Sequence, residues 1–208
     1  MTVETSGDLN IDKRMEQVVG PGLRVTPVEA DQLTEEARQL AIKIRAAFGI
    51  PEDGAMPVSI RTMLIHPELF QAQMSMGIVL AAGSIPARER ELAVLRNAWL
   101  CGAAYEWGEH VNIGKQRCGL TDAEIERCTQ GSQAAGWTEH EQAILKGVEE
   151  LHADYALSEE TWNALAKTWD QKQLMEFPVL VGAYIMTALQ QNTIRMPLDP
   201  GNPGLGHR

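Results

Sequence analysis

From Pro27 onward, apolar side chains recur at spacings of three and four, and no useful length of chain alternates at the period of two that a half-buried strand requires. That pattern confines the chain to an all-α fold of about seven or eight helices. Leu33, Ala37, Leu40, Ala41, Ile44 and Ala47 mark the first, which Gly49 and Pro51 stop. Pro67 suits the first turn of the next, ending near Gly83, and Pro86 opens a third. Thr121 with Glu124, and Thr138 with Glu141, have capping-box spacing, and Ser158 can cap a further helix. Asp170 with Gln173 opens the last, which reaches about Thr193 with a kink at Pro178.

With 208 residues, 44% of them apolar, the chain can bury one good core. Residues 1–27 are polar and end in Gly20-Pro21-Gly22, so they read as an arm, mobile or strapped to a neighbour. Residues 28–196 form the helical domain, and residues 197–208, with three Pro and three Gly, an irregular tail. A net charge of −10 without a basic cluster argues against a nucleic-acid partner. Neither a secretory leader nor a membrane-length apolar run is present, so a cytoplasmic protein with no membrane partner is expected. Three cysteines, none at C-x-x-C spacing, indicate reduced thiols rather than a disulfide framework or a zinc site. Apolar stripes on so many helices leave surface for self-association.

The segment from Arg88 to His110 places ionisable groups where the helical pattern should be apolar. At 100° per residue, Glu91 shares a side with Arg88, Leu92, Leu95, Ala98 and Trp99. His110 shares one with Ala103, Trp107, Val111, Gly114 and Cys118, with Glu106 one turn before it. On a straight helix Glu91 and Glu106 would lie roughly 22 Å apart. A bend at Cys101-Gly102, or a subunit boundary, is required to bring them together. A histidine beside carboxylates in an apolar shell has the tuned proton affinity that general acid–base chemistry uses. A structural ion network is the competing reading.

Other readings use fewer residues. Glu106 and His110 at i, i+4 could ligate a metal with His66 or His152, but a single Glu-x-x-x-His without a second motif indicates no metal site. Cys101 is the thiol of an alternative, peroxide-reducing reading. Arg61, Arg88, Arg90, Arg96 and Arg195 are candidates for holding an organic acid, Arg88 first because of its place near Glu91. Trp107 could wall a pocket beside His110, and Tyr105 adjoins it; both are otherwise core or interface aromatics.

The run Pro86-Ala-Arg-Glu-Arg-Glu-Leu-Ala-Val-Leu-Arg96, then Tyr105-Glu-Trp-Gly-Glu-His110 and Gly119-Leu-Thr-Asp-Ala-Glu-Ile125, resembles the carboxymuconolactone decarboxylase family. Its superfamily includes the AhpD-type alkylhydroperoxidases, and the likeness extends loosely over residues 55–200. The resemblance implies an all-α subunit assembled as a homotrimer, homohexamer or related oligomer. In the peroxidase branch a glutamate precedes a C-x-x-C pair, and a histidine follows the second cysteine by four. Glu91 and His110 match the outer members, but Ala103 and Glu106 occupy the cysteine positions and Cys101 lies two residues early. The resemblance therefore implies the decarboxylase-like branch, with a cofactor-free site for a small carboxylated or lactone substrate. On that analogy His110 donates the proton, Glu106 or Glu91 sets its protonation state, and Arg88 holds a carboxylate. A non-catalytic oligomeric binding protein is the remaining alternative.

Overall fold

The computed structural model describes residues 9–208 apart from Gly49 and Asp53. It contains ten α-helices and two short 3-10 turns, with no strand among the described residues. The helices are α1 (Ile11–Val18), α2 (Glu35–Phe48), α3 (Val58–Met63), α4 (Pro67–Ala81), α5 (Ala87–Leu100), α6 (Ala104–Arg117), α7 (Asp122–Gln130), α8 (Glu139–Asp154), α9 (Glu159–Ala166) and α10 (Gln171–Ile194). The 3-10 turns cover Ala30–Gln32 and Gly204–Gly206. The count exceeds that expected from the sequence because α1 and α3 are eight and six residues long, too short for a full apolar stripe. No helix is long and apolar enough to cross a membrane.

Helix α5 is the axis of the molecule. Every residue from Glu91 to Ala98 is buried, including Arg96 and Asn97, so it is enclosed all round rather than on one stripe. On one side Leu92 and Leu95 join Trp107, Val111, Ile125 and Leu145 in one core. On the other, Ala93 and Val94 meet Ile144, Val148, Leu165, Phe177 and Leu180 in a second. A satellite core around Ala37, Leu40, Ile44 and Leu64 seats α2 against α4. The three capping boxes form as read, at Thr121–Glu124, Thr138–Glu141 and Asp170–Gln173, and Ser158 caps α9. The first long helix begins at Glu35, later than the periodicity indicated, because the Thr34 hydroxyl accepts from the Ala37 amide and caps it there. The stop assigned to Gly49 lies outside the described residues.

Both terminal segments belong to the core. Residues 1–8 lie outside the description, but α1 is a capped helix rather than a free arm, with Asn10 accepting from the Lys13 amide and Val18 buried. Arg14 on α1 donates to the carbonyls of Cys101 (2.7 Å) and Gly102 (3.0 Å), satisfying the C-terminal end of α5. The tail is irregular up to its closing turn, yet Leu205 is fully buried beside Trp107 and Asn202 is buried against α6. On both ends, short-range composition missed packing that only the assembled helices create.

Candidate active site

The bend between α5 and α6 makes the site. Helix α5 ends at Leu100, Gly102 takes φ +53°, and α6 starts at Ala104. That left-handed conformation favours glycine, and a β-carbon there would also meet Arg14 Nε at 2.5 Å. The turn folds α6 back along α5 within one chain, so Glu91 and His110, 19 residues apart, come into contact without a second subunit.

His110 Nδ1 lies 2.5 Å from Glu91 Oε1, and its Nε2 lies 3.3 Å from Glu106 Oε2. All three residues are buried. A neutral imidazole has one N–H and could serve one carboxylate; two carboxylates on opposite ring nitrogens call for the imidazolium. Burial alone disfavours that charge, but the Tyr184 hydroxyl and the carboxylates of Glu91 and Glu106 outweigh it, and the His110 pKa stands well above its ordinary value. Tyr184 presents its ring edge-on to the imidazole, with centroids 5.1 Å apart. Gln191 Nε2 donates to Glu106 Oε1 at 2.6 Å, fixing the carboxylate from its far side.

Glu106 and Tyr184 line a cavity of about 190 Å³ between α4 and α10, with Gln73, Leu80 and Thr187 among its other walls. Gln73 and Thr187 also line a neighbouring cavity of about 250 Å³, together with Ser59, Phe70, Tyr105 and Gln191. The two spaces share a wall; Glu106 is the member of the ionic triad that borders the smaller one, and Gln191, which holds Glu106, borders the larger.

Of the residues singled out in the sequence, Glu91, Glu106 and His110 come together and Tyr105 lines the adjoining cavity. The Tyr105 hydroxyl donates to Asp199 at 2.6 Å, and burial with that carboxylate keeps it protonated. Arg88 does not join them. Its guanidinium pairs with Glu124 and, at 2.9 Å, with Glu141, the two capping-box glutamates of α7 and α8. The wheel placed it near Glu91, but Glu91 takes His110 as partner and Arg88 reaches across to neighbouring helix starts. Arg61 pairs with Glu29, and Arg96 with Glu149. Arg90 and Arg195 donate to the carbonyls of Ala81 and Gln17. Trp107 lines neither of these two cavities: it is fully buried, donates to the His207 carbonyl and packs on Trp99.

Cys101 faces a separate cavity of about 650 Å³ with His152, whose Nε2 is 3.6 Å from the sulfur. Burial pushes this thiol up to about 11, despite the nearby Arg14 charge. Among the described residues no cluster of three or more His, Cys, Asp and Glu has the arrangement to hold a metal ion.

Gln191, Gln73 and Asp199 were missed in the sequence. A signal existed on the last helix: Tyr184, Thr187 and Gln191 stand at i, i+3 and i+7 in an otherwise apolar stretch, which puts them on one face.

The chain has no match among functionally curated proteins. Its fold is similar to a protein of unknown function from Agrobacterium tumefaciens described as a putative antioxidant defence protein AhpD (TM-score 0.59, 20% identity, 65% of this chain and 93% of that one). It is also similar to the debrominase Bmp8, in a variant bound to 2,3,4-tribromopyrrole (TM-score 0.67, 15% identity, 86% and 92% coverage). An uncharacterized peroxidase-related protein from a Silicibacter species matches at TM-score 0.71, with 15% identity and coverage of 86% and 93%. The profile of the carboxymuconolactone decarboxylase family matches residues 67–150, the segment that carries Glu91, Glu106 and His110. Over residues 67–150, then, the chain is similar to the carboxymuconolactone decarboxylase family, and its helical fold is shared with AhpD-like structures.

Proposed function

We propose that the protein is an acid–base enzyme that moves a proton on a small molecule held between α4 and α10, with Glu106 as the group that meets the substrate. The observation that carries this reading is the buried imidazole of His110 held between two carboxyl groups, one of which borders a cavity. As a carboxylate, Glu106 offers lone pairs that can accept a proton from an acidic C–H or O–H. His110 stabilises the ionised form through Nε2, Glu91 anchors the ring through Nδ1, and Gln191 orients the carboxylate. The electron pair of the broken bond delocalises into an enolate or its equivalent, and Glu106 returns the proton at a second atom. The net change is a hydrogen shift, with no external oxidant or reductant. His110 thus acts behind Glu106 rather than as the direct donor.

Loss of CO₂ from a lactone acid would use the same proton source to quench the enolate. That finer reading also needs a cation for the substrate carboxylate, and Arg61, Arg88, Arg90, Arg96 and Arg195 are all engaged elsewhere in the chain. Proton transfer is therefore the step we assign. The capture of a debrominase of this fold with a brominated pyrrole supports a ring-sized ligand. Exposed Ile78 and Val79 on α4, and Met175, Val179 and Leu189 on α10, support a homo-oligomer, which light scattering on the purified protein would test.

The decisive experiment is proton exchange. Small lactones, enols and phenols incubated with the enzyme in D₂O should gain deuterium at carbon, followed by NMR. His110→Gln and Glu106→Gln should each slow the exchange by about a hundredfold or more while remaining folded. Exchange that persists undiminished in His110→Gln would overturn the assignment.

A further inference from the structure

We infer that the larger of the two cavities selects neutral, ring-sized molecules bearing O–H or N–H donors, and rejects carboxylates. This rests on the reading above only in taking the substrate's place to extend from the cavity that Glu106 lines into the larger one adjoining it; the selection itself follows from where the lining groups spend their protons.

Each hydroxyl on the wall has already given its hydrogen away. Tyr105 Oη donates to Asp199 Oδ2 at 2.6 Å, Ser59 Oγ to the same oxygen at 2.7 Å, and Thr187 Oγ1 to the Ala183 carbonyl at 3.0 Å. All three therefore present lone pairs to the cavity. The amides follow the same pattern. Gln191 Nε2 is tied to Glu106, and because a carboxylate only accepts, this contact fixes which way the amide faces. Gln73 Nε2 donates to Gln190 Oε1 at 2.9 Å. Gln73 Oε1 and Gln191 Oε1 are left buried with no hydrogen-bond partner, two of only four such side-chain atoms found among the described residues.

Buried polar atoms are nearly always satisfied, so two orphan acceptors carried by residues that line one cavity mark a wall that lacks donors, which a ligand could supply. The cavity offers no Lys, Arg or His side chain, and the donors left on its wall are neutral amide N–H groups: those of Gln190 and the second N–H of Gln73 and of Gln191. Asp199 and Glu106 stand behind the wall through Tyr105, Ser59 and Gln191, adding negative potential. A carboxylate entering this space would lose its hydration and face lone pairs. The remaining lining, with Ile60, Phe70 and Met74, suits an apolar ring, and about 250 Å³ exceeds the roughly 150 Å³ that holds a benzene. A ligand donating to Gln191 Oε1 also enters a continuous chain from Gln191 through Glu106 to His110 and Glu91.

Three probes of one shape test this by calorimetric titration of the full chain: p-cresol, its methyl ether, and p-toluate. The cresol should bind about tenfold more tightly than the ether, which lacks the donor, and the toluate should not bind measurably. Gln73→Met should weaken cresol binding several-fold while leaving the ether unchanged. Equal affinity for cresol and ether, tighter binding of toluate, or no binding of cresol would each overturn the inference; the wild-type series decides it even if the variant fails to fold. The same titration on His110→Gln separates it from the proposed function. Retained selectivity with lost deuterium exchange supports both; retained selectivity with undiminished exchange sinks proton transfer and leaves the selection standing.

Discussion

Glu91 and His110 form a buried 2.5 Å contact between α5 and α6, where Glu91 is 2% exposed. A carboxylate so enclosed needs its partner charged, and the imidazolium supplies that charge. Glu91→Gln keeps the shape and removes the charge. It should cost about 2 kcal/mol in urea unfolding at pH 6, the scale of a hydrogen bond between charged groups. If the stability is unchanged, the pair is not ionic.

The same contact sets a pH dependence. The folded pKa of His110 is raised well above the ordinary histidine value of 6.5, so its stabilisation is complete below about pH 6.5 and declines as pH rises through the folded value. The stability difference between wild type and His110→Gln should be largest in mild acid and shrink in the alkaline range. In a Glu91→Gln background the decline should move to lower pH. A difference that grows with pH would contradict the assigned protonation.

Arg88 joins the starts of α7 and α8 rather than a ligand, which gives it an acid signature. Burial works against ionised Glu124, but Arg88 and the Thr121 hydroxyl and amide bring it to about 2, from an ordinary 4.5. A depressed carboxylate stabilises above the unfolded pKa and loses that stabilisation as pH falls through the folded one. Arg88→Met should therefore lower stability by about 1 kcal/mol at pH 7, a modest figure because the guanidinium is 36% exposed. The deficit should fade between pH 4.5 and 2. Turnover should be unaffected; a large loss of substrate affinity would restore the anion-clamp reading.

What could be read from the sequence, and what could not, divides by distance along the chain. The caps at Thr121, Thr138 and Asp170 depend on residues three apart, and all were visible. The meeting of Glu91 with His110 needed one more signal, the glycine at the bend. Arg88 was misplaced because helical angle gives a side chain's starting direction, whereas its partners lie 36 and 53 residues away. The acceptor character of the cavity was invisible: it depends on which oxygen each hydroxyl proton reaches, and Asp199 comes from a tail whose composition reads as loop.

Cys101 should be a poor nucleophile. With its thiol raised to about 11, roughly one molecule in a thousand is ionised at pH 8. Iodoacetamide should alkylate it at least tenfold more slowly in the native protein than in urea, read by peptide mass spectrometry. Cys101→Ser should leave any peroxide consumption unchanged. Rapid native labelling, or loss of peroxide turnover in the variant, would revive a thiol mechanism.

Gly108 on α6 lies under Asn202, and a β-carbon at Gly108 would sit 1.8 Å from Asn202 Oδ1. Asn202 Nδ2 donates to the Tyr105 carbonyl and to Glu109, while its Oδ1 accepts from the Gly204 amide. The side chain therefore has no free direction in which to retreat. Gly108→Ala should displace the tail and cost about 1–3 kcal/mol, as overpacking of a fitted contact does. It should also raise hydrogen exchange over residues 202–206, where Leu205 is otherwise sealed against Trp107. Asn202→Ala removes the obstructing atom, so adding it to Gly108→Ala should destabilise by less than the two single changes summed. Strict additivity in that double-mutant cycle would mean that the glycine serves the helix rather than the docked tail.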